Sequence, residues 1–211
     1  MDIYFFNRLD STQRYLLEAL REKELHAPVG VLAYEQYAGV GSRENQWLGE
    51  RGNFFFSFAL SLEALPSDLP LSSASIYFAY LMKKALLKFT SNVWVKWPND
   101  FYMHDAKVGG TITKKLSDVL VCGIGLNLQK GVGAFQGLNL SLEPEKLLEE
   151  YLQSLEKLPS WKQVFSEYEV EFELSKTFSV HIENTPISLK EAQLCQDGSL
   201  IINKKKVYSL R

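Results

Sequence analysis

Apolar residues recur along this chain in two rhythms, and the switches between them predict its elements. Ile3 to Phe6 and Val29 to Tyr34 are apolar runs of strand length, and Phe54 to Leu62 alternates around Ser57 and Ser61 as a buried strand does. Between the first two, Asp10-Ser11-Thr12-Gln13 reads as a helix start, with an acid at the cap and Gln following, and that helix runs to about Glu24. Leu71 to Phe89 carries a helical pattern with Ile76, Tyr80 and Leu87 on one side, long enough to back a sheet. Val93 and Val95 are β-branched; Pro98 stops their strand because it lacks a ladder donor and pushes Trp97 towards extended geometry, leaving Asn99 and Asp100 in a turn. Lys107 to Thr113 and Asp118 to Leu128 are two further strands, the second apolar on both faces and so central in the sheet. Pro144 opens a helix reaching Leu155, and Ser160 caps another from Trp161 to about Phe172. Glu35 to Trp47 is polar and glycine-bearing and reads as a loop. Beyond Lys176 the pieces Phe178-Val180-Ile182, Ile187-Leu189, Leu200-Ile202 and Val207-Tyr208 predict a small β-barrel-like module.

A length of 211 residues suits one main domain with a minor appendage. Hydrophobic residues make up 46% and the formal charge is -2, which gives no overall attraction to nucleic acid or membrane. Between Lys83 and Lys115, however, seven lysines face only Asp100 and Asp105, so one face is locally basic, most simply as a solvated helix face. The opening Met1-Asp2-Ile3-Tyr4 does not resemble a secretory signal, and no apolar run approaches the ~18 residues that span a bilayer. Cys122 and Cys195 have neither metal spacing nor the density of a disulfide framework, so the expected compartment is the cytoplasm.

The densest chemistry lies between Trp94 and Gly110. Lys96, Asn99, Asp100 and Lys107 fall close to Gly109 and Gly110, where a ligand can approach the backbone without meeting a Cβ. Such a set suits an anionic ligand carrying a metal; its plain alternative is a hairpin with solvated lysines. Ser11 and Thr12 lie where a helix start offers free backbone donors, which serves a small polar ligand or simple capping equally well. Gly39-x-Gly41 alone is a weak phosphate signal, and Trp47 suits either a ring cover or the core. Gly123 and Gly125 imply that something packs closely on their strand.

Taken in order, Ser11-Thr12, Gln36-x-x-Gly39-x-Gly41 closing on Trp47, Lys96-Trp97-Pro98-Asn99-Asp100, Lys107-x-Gly109-Gly110 and Gly123-x-Gly125-x-Asn127 resemble the catalytic core of biotin-protein ligases. The resemblance runs from about residue 3 to the C-terminus. It implies an α+β fold: a mixed β-sheet catalytic core with helices on one side over residues 1–174, and a small SH3-like β domain over 175–211. No helix-turn-helix pattern precedes the core, so it implies a ligase without a repressor role. The implied reaction joins biotin to ATP, with Mg2+, as biotinyl-5'-AMP, and passes the biotinyl group to a lysine of a biotin carboxyl carrier protein. Nucleic acid and membrane are not implied partners, and oligomeric state is left open.

Residue by residue, Lys107 matches the family's essential lysine, touching biotin's carboxyl group and the phosphate, and Asp100 matches a group that receives or orients the incoming amine. Ser11, Thr12 and Gln36 match partners of the ureido ring, whose donors and acceptor suit hydroxyl and amide groups; Gly39, Gly109, Gly110 and Gly123 give room along the same pocket. Trp47 matches a stack on adenine and Asn127 a hydrogen bond to it, while Lys96, Asn99 and Arg43 fall on the nucleotide side. Mg2+ is expected to be held mainly by the phosphates. The loop departs from the family: its arginine positions are Val40, Ser42 and Asn45, its third glycine is Glu44, Gln13 stands where Asn is usual, and Lys114 replaces a common Glu. These departures bear on loop ordering, metal ligation and retention of the adenylate. Lipoate-protein ligase is the neighbouring enzyme reading, opposed by Trp97-Pro98; a biotin-binding protein weakened in catalysis is the other, opposed by Lys107, Asp100 and Asn127.

Overall fold

The computed structural model describes residues 1–41, 46–131, 136–182 and 185–208. Its main sheet contains seven strands in the order β1 (Asp2–Phe6), β2 (Val29–Ala33), β5 (Phe54–Ser61), β9 (Val119–Leu126), β8 (Ala106–Leu116), β7 (Asp100–Met103) and β6 (Val93–Lys96). The first pair runs parallel and the other neighbouring pairs antiparallel, which makes the sheet mixed. β5 and β9 form its middle and are buried on both faces, as their nearly unbroken apolar sequences require.

Period-two alternation along β5 divides two cores. Phe54, Phe56, Phe58 and Leu60 face α2 (Ala74–Leu86), α3 (Pro144–Lys157) and α4 (Trp161–Ser175) in one large cluster. Ala59, on the opposite face, packs with Val121 and with Leu16 and Leu17 of α1 (Thr12–Arg21). Thus three helices cover one face while α1 covers part of the other, rather than all lying on one side. α1 connects the parallel pair β1 and β2, and such a crossover must lie over a sheet face. α2 is apolar almost all round and is buried accordingly, with α3 and α4 packed around it.

Two local expectations change. The helix cap is Ser11, whose Oγ accepts the Arg14 N–H at 3.3 Å; Asp10 instead accepts from the Ser11 N–H at 2.6 Å and pairs with Arg14 at 2.6 Å. The polar stretch read as a loop contains a hairpin, β3 (Gln36–Val40) against β4 (Gln46–Gly49), anchored to the segment before α1 by Ala38 N–H to Asp10 O at 2.9 Å. Residues 42–45 between its strands, which include Ser42, Arg43 and Asn45, lie outside the described residues.

The C-terminal strands are short and antiparallel: β10 (Ser179–Ile182) with β11 (Thr185–Ser188), and β12 (Gln193–Leu194), β13 (Leu200–Ile202) and β14 (Lys205–Val207) in a three-stranded sheet. They are consistent with a small SH3-like module, and Val180, Leu189, Leu200 and Ile202 join the large helical core. No helix among the described residues is long and apolar enough to cross a membrane.

Candidate active site

On the α1 face, a solvent-open cleft of about 470 Å³ lies between the start of α1, the β3–β4 hairpin and the middle of the sheet. Gly123 and Gly125 leave that part of the sheet bare. A Cβ at Gly123 would press on Gln13 Oε1 and lie 3.1 Å from Ser57 Oγ, and a Cβ at Gly125 would lie 2.8 Å from Trp47 Nε1. The buried indole of Trp47 is therefore laid flat on the strand, which only glycine permits.

A directed hydrogen-bond chain forms one wall. The Thr12 N–H donates to Gln36 Oε1 at 2.7 Å, which identifies that atom as the oxygen; the Thr12 hydroxyl donates to it as well, at 3.0 Å. With its proton thus committed, Thr12 Oγ1 accepts from Ser57 Oγ at 2.9 Å. The chain runs Ser57 to Thr12 to Gln36 and leaves hydroxyl lone pairs towards the cleft. Gln13 Oε1 also borders the cleft, buried and without a hydrogen-bond partner among the described residues.

The opposite wall carries the charge. Lys107 Nζ lies 2.6 Å from Asp100 Oδ1, with the side chains 24% and 19% exposed. A register shift decides this contact: Gly109 pairs with Phe101, yet Lys107 rather than Val108 pairs with Tyr102. The bulge turns Lys107 onto the cleft face, and Val108 enters the helical core instead. At Gly110, opposite Asp100, a Cβ would sit 3.3 Å from Asp100 Oδ1 and 3.9 Å from Lys107 Cε, so glycine keeps the ion pair uncrowded. Asn99 Nδ2 donates to the Thr111 carbonyl, while the Thr111 N–H donates back to Asn99 O at 2.9 Å. Asn99 thereby splints the turn to β8.

Of the residues singled out by sequence, Ser11, Thr12, Gln36, Trp47, Asn99, Asp100, Lys107, Gly110 and Gly123 line this cleft. Four do not. Gly39 supports the hairpin instead, since a Cβ there would strike the Trp47 carbonyl and the Gln36 amide. Gly109 lies against β9, with an added Cβ 2.5 Å from Gly125 O and 2.6 Å from Leu126 Cδ2. We expect Gly109→Ala to cost about 1–3 kcal/mol through overpacking; a shift of the urea unfolding midpoint measures it, and an unmoved midpoint would mean that the strands yield freely.

Lys96 is 8% exposed, with Nζ 5.3 Å from the Tyr102 ring centroid and 5.6 Å from that of Phe178. Burial holds its pKa below the usual lysine value; Asp100 opposes that shift and Lys107 adds to it. Asn127 directly follows β9, donating from Nδ2 to Gln136 O at 3.2 Å, with Oδ1 buried and without a partner among the described residues. Arg43 lies outside the described residues. Sequence reasoning assigned no role to Ser57, whose signal was a hydroxyl inside a phenylalanine run, or to Thr111, and read Gly125 only as a place of close packing.

Comparison with known proteins places this geometry in a lineage. A family model described as Biotin/lipoate A/B protein ligase family matches residues 5–129. The chain is 35% identical over 127 residues to the Escherichia coli bifunctional ligase/repressor BirA, a match covering 57% of this chain and 38% of that protein. It is 33% identical over 132 residues to a Paracoccus denitrificans biotin–[acetyl-CoA-carboxylase] ligase, covering 57% of this chain and 52% of that one. These matches therefore span between about a third and a half of the relatives' own lengths. A crystal structure of Helicobacter pylori biotin acetyl coenzyme A carboxylase synthetase, with bound biotinylated ATP, superposes with a TM-score of 0.93 at 37% identity, over 98% of this chain and 99% of that chain. Because the family model takes in more than half of the sequence and contains the whole cleft, the chain belongs to the biotin/lipoate A/B protein ligase family.

Proposed function

We propose that this protein is an ATP-dependent biotin-protein ligase. The observation that carries the reading is the pairing, in one cleft, of the directed Ser57–Thr12–Gln36 chain with the Lys107–Asp100 pair. Biotin presents a cyclic urea at one end and a carboxylate at the other. The hydroxyl lone pairs suit the urea N–H donors, the Gln36 amide suits its carbonyl, and Lys107 suits the carboxylate. A dithiolane ring, as in lipoate, offers no such donors to that wall.

In the proposed reaction a biotin carboxylate oxygen attacks the α-phosphorus of ATP, the bond to the bridging oxygen breaks, and pyrophosphate leaves. Negative charge gathers on the phosphoryl oxygens, where a fixed ammonium stabilises it without reorganisation. Lys107 supplies that charge by swinging from Asp100 to the carboxylate and phosphate. A lysine amine of the carrier then attacks the acyl carbon of biotinyl-5'-AMP, AMP leaves, and Asp100, released from its partner, takes the amine proton. Ser11 completes the urea contacts; Gly123 and Gly110 keep the pocket open, and Gly39 and Gly109 hold its walls. Trp47 stacks on adenine, with Asn127 Oδ1 accepting from its amino group. Asn99 serves the nucleotide side, Arg43 is assigned to it as well, and Lys96 adds positive charge near Asp100.

Mg2+ enters the proposed reaction with the phosphates of ATP, which hold it mainly. The same reading treats residues 1–174 as the catalytic part and 175–211 as an SH3-like appendage, assigns a biotin carboxyl carrier protein as acceptor, and puts the protein in the cytoplasm.

Pyrophosphate exchange with ATP and Mg2+ tests the activity. Exchange that requires biotin supports the proposal; exchange with lipoate would move it to the neighbouring reaction, and biotin binding without exchange would leave only a binding protein. We further expect Trp47→Ala to weaken ATP binding by about 1–3 kcal/mol, the usual worth of a base–aromatic stack, while biotin affinity in the absence of nucleotide changes far less. Calorimetry with each ligand separates the two, and equal losses would assign Trp47 to support of the hairpin rather than to the nucleotide.

A further inference from the structure

Three consecutive carbonyls in the turn between β12 and β13 each accept a hydrogen bond from a different part of the catalytic core. Gln196 O accepts from Trp161 Nε1 at 2.8 Å, Asp197 O from Ser73 Oγ at 2.5 Å, and Gly198 O from Trp97 Nε1 at 2.9 Å. The donors stand at the start of α4, at the start of α2, and immediately before Pro98-Asn99-Asp100.

The turn is itself stiff. Cys195 and Ser199 close it with a 2.8 Å backbone bond, Gly198 N–H returns to Cys195 O at 2.8 Å, and Asp197 Oδ1 accepts from the Ser199 N–H at 3.2 Å and from its hydroxyl at 2.5 Å. Lys206 Nζ pairs with the other Asp197 oxygen at 2.8 Å. Gly198 has φ +77, where a side chain is strained, and a Cβ there would also fall 2.9 Å from Ser73 Cβ. Only glycine both adopts this backbone and lets the carbonyl reach the core.

Trp97 is gripped from two further sides. Its backbone N–H donates to Ser175 Oγ at 3.1 Å, and two residues earlier the Val95 N–H donates to Glu171 Oε1 at 2.7 Å, both acceptors belonging to α4. The fully buried indole is thus a rigid arm, fixed at its tip by the C-terminal turn and at its root by α4. Asp100 follows by three residues in the tight turn that this arm anchors, and Asn99 ties the same turn to Thr111.

We propose that Trp97 is a positioning residue: the Gly198 carbonyl, through the indole, sets the placement of Asp100 and so of the Lys107–Asp100 pair, making the C-terminal strands part of the catalytic support. The inference deepens the ligase reading and rests on it for its kinetic consequence. Displacing a reacting group by about 1 Å can cost on the order of 100-fold in rate. Losing one buried hydrogen bond on the arm is therefore expected to lower kcat roughly tenfold.

Trp97→Phe keeps an aromatic ring and removes the donor; Gly198→Ala moves the acceptor from the other module. Trp161→Phe is the control, deleting a bond of the same kind to the Gln196 carbonyl of the same turn while leaving all three bonds of the Val95–Trp97 arm in place. Both test variants should lower kcat for biotin-dependent pyrophosphate exchange roughly tenfold with the biotin KM changed less than about twofold, and the control should keep kcat. Hydrogen exchange supplies a readout independent of activity: the Thr111 amide, bonded to Asn99 O, should exchange about tenfold faster in Trp97→Phe and Gly198→Ala but not in Trp161→Phe. If wild-type protein fails to exchange pyrophosphate with biotin, the ligase reading falls while the Thr111 amide still decides the positioning claim. Unchanged Thr111 protection in Trp97→Phe, or an equal kcat loss in Trp161→Phe, overturns it.

Discussion

Replacing Lys107 with alanine is expected to lower biotin-dependent pyrophosphate exchange by about 100- to 1,000-fold, the loss typical when one group stabilising a developing oxyanion is removed. The ammonium is the cation placed on the cleft face by the β8 bulge, 2.6 Å from Asp100. Among the described residues no other cation lines the cleft, because Lys96 is directed over the Tyr102 and Phe178 rings. Stability should fall by about 1–3 kcal/mol, since the pair is only a fifth to a quarter exposed and loss of one partner lies between the surface and the fully buried case. Single-turnover formation of biotinyl-5'-AMP and a thermal melt, measured on the same preparation, check both halves. A folded Lys107→Ala protein with near-normal exchange would falsify the assigned role.

The largest effect on stability is expected at a residue that does not line the cleft. Glu171→Ala should destabilise the protein by about 3–5 kcal/mol, the usual cost of removing one partner from a buried ion pair. Glu171 Oε2 lies 2.6 Å from Lys83 Nζ, with side chains 10% and 11% exposed, while its other oxygen accepts the Val95 N–H. Truncation would leave both a buried ammonium and a buried backbone donor unpaired. The Tyr80 ring, whose centroid is 4.7 Å from Lys83 Nζ, only partly compensates. Urea unfolding at constant m gives the number. Adding Lys83→Met to Glu171→Leu should recover much of the loss, because the orphaned charge goes with the lysine. A loss under about 1 kcal/mol in Glu171→Ala would mean that Lys83 reaches water when its partner is removed, and the buried-charge argument would fail.

Residues 96–100, 107–110 and 11–12 carried most of the candidate site in the sequence. Their side chains act within a few positions of one another, and a turn or helix start places such neighbours together almost regardless of the remaining chain. The strands were legible for a similar reason, since period-two and continuous apolar runs report burial directly. Even the hydroxyl at Ser57 was visible as an interruption of its strand, although nothing local said what it would meet.

Other features depended on partners distant in the chain. Thr12 meets Ser57 across 45 positions and Gln36 across 24, contacts that exist only once α1 lies over β5 and the hairpin folds against it. Residues 35–47 looked like a loop because β3 and β4 pair with each other and with the segment before α1, rather than with an apolar strand. Gly109 looked like a ligand glycine by proximity to Lys107, yet in the fold an added Cβ would meet β9 at Gly125 O and Leu126 Cδ2.

By itself, then, the sequence determined the strands and helices, the mixed α+β class, the Lys96–Asp100 turn and the chemical character of the cleft, since each follows from local spacing and burial. Tertiary structure alone decided which face of the sheet each side chain occupies. A strand repeats every two residues, so one bulged residue between Lys107 and Gly109 exchanges the cleft face for the core. Only pairing with β7 could establish that Lys107, and not Val108, meets Asp100.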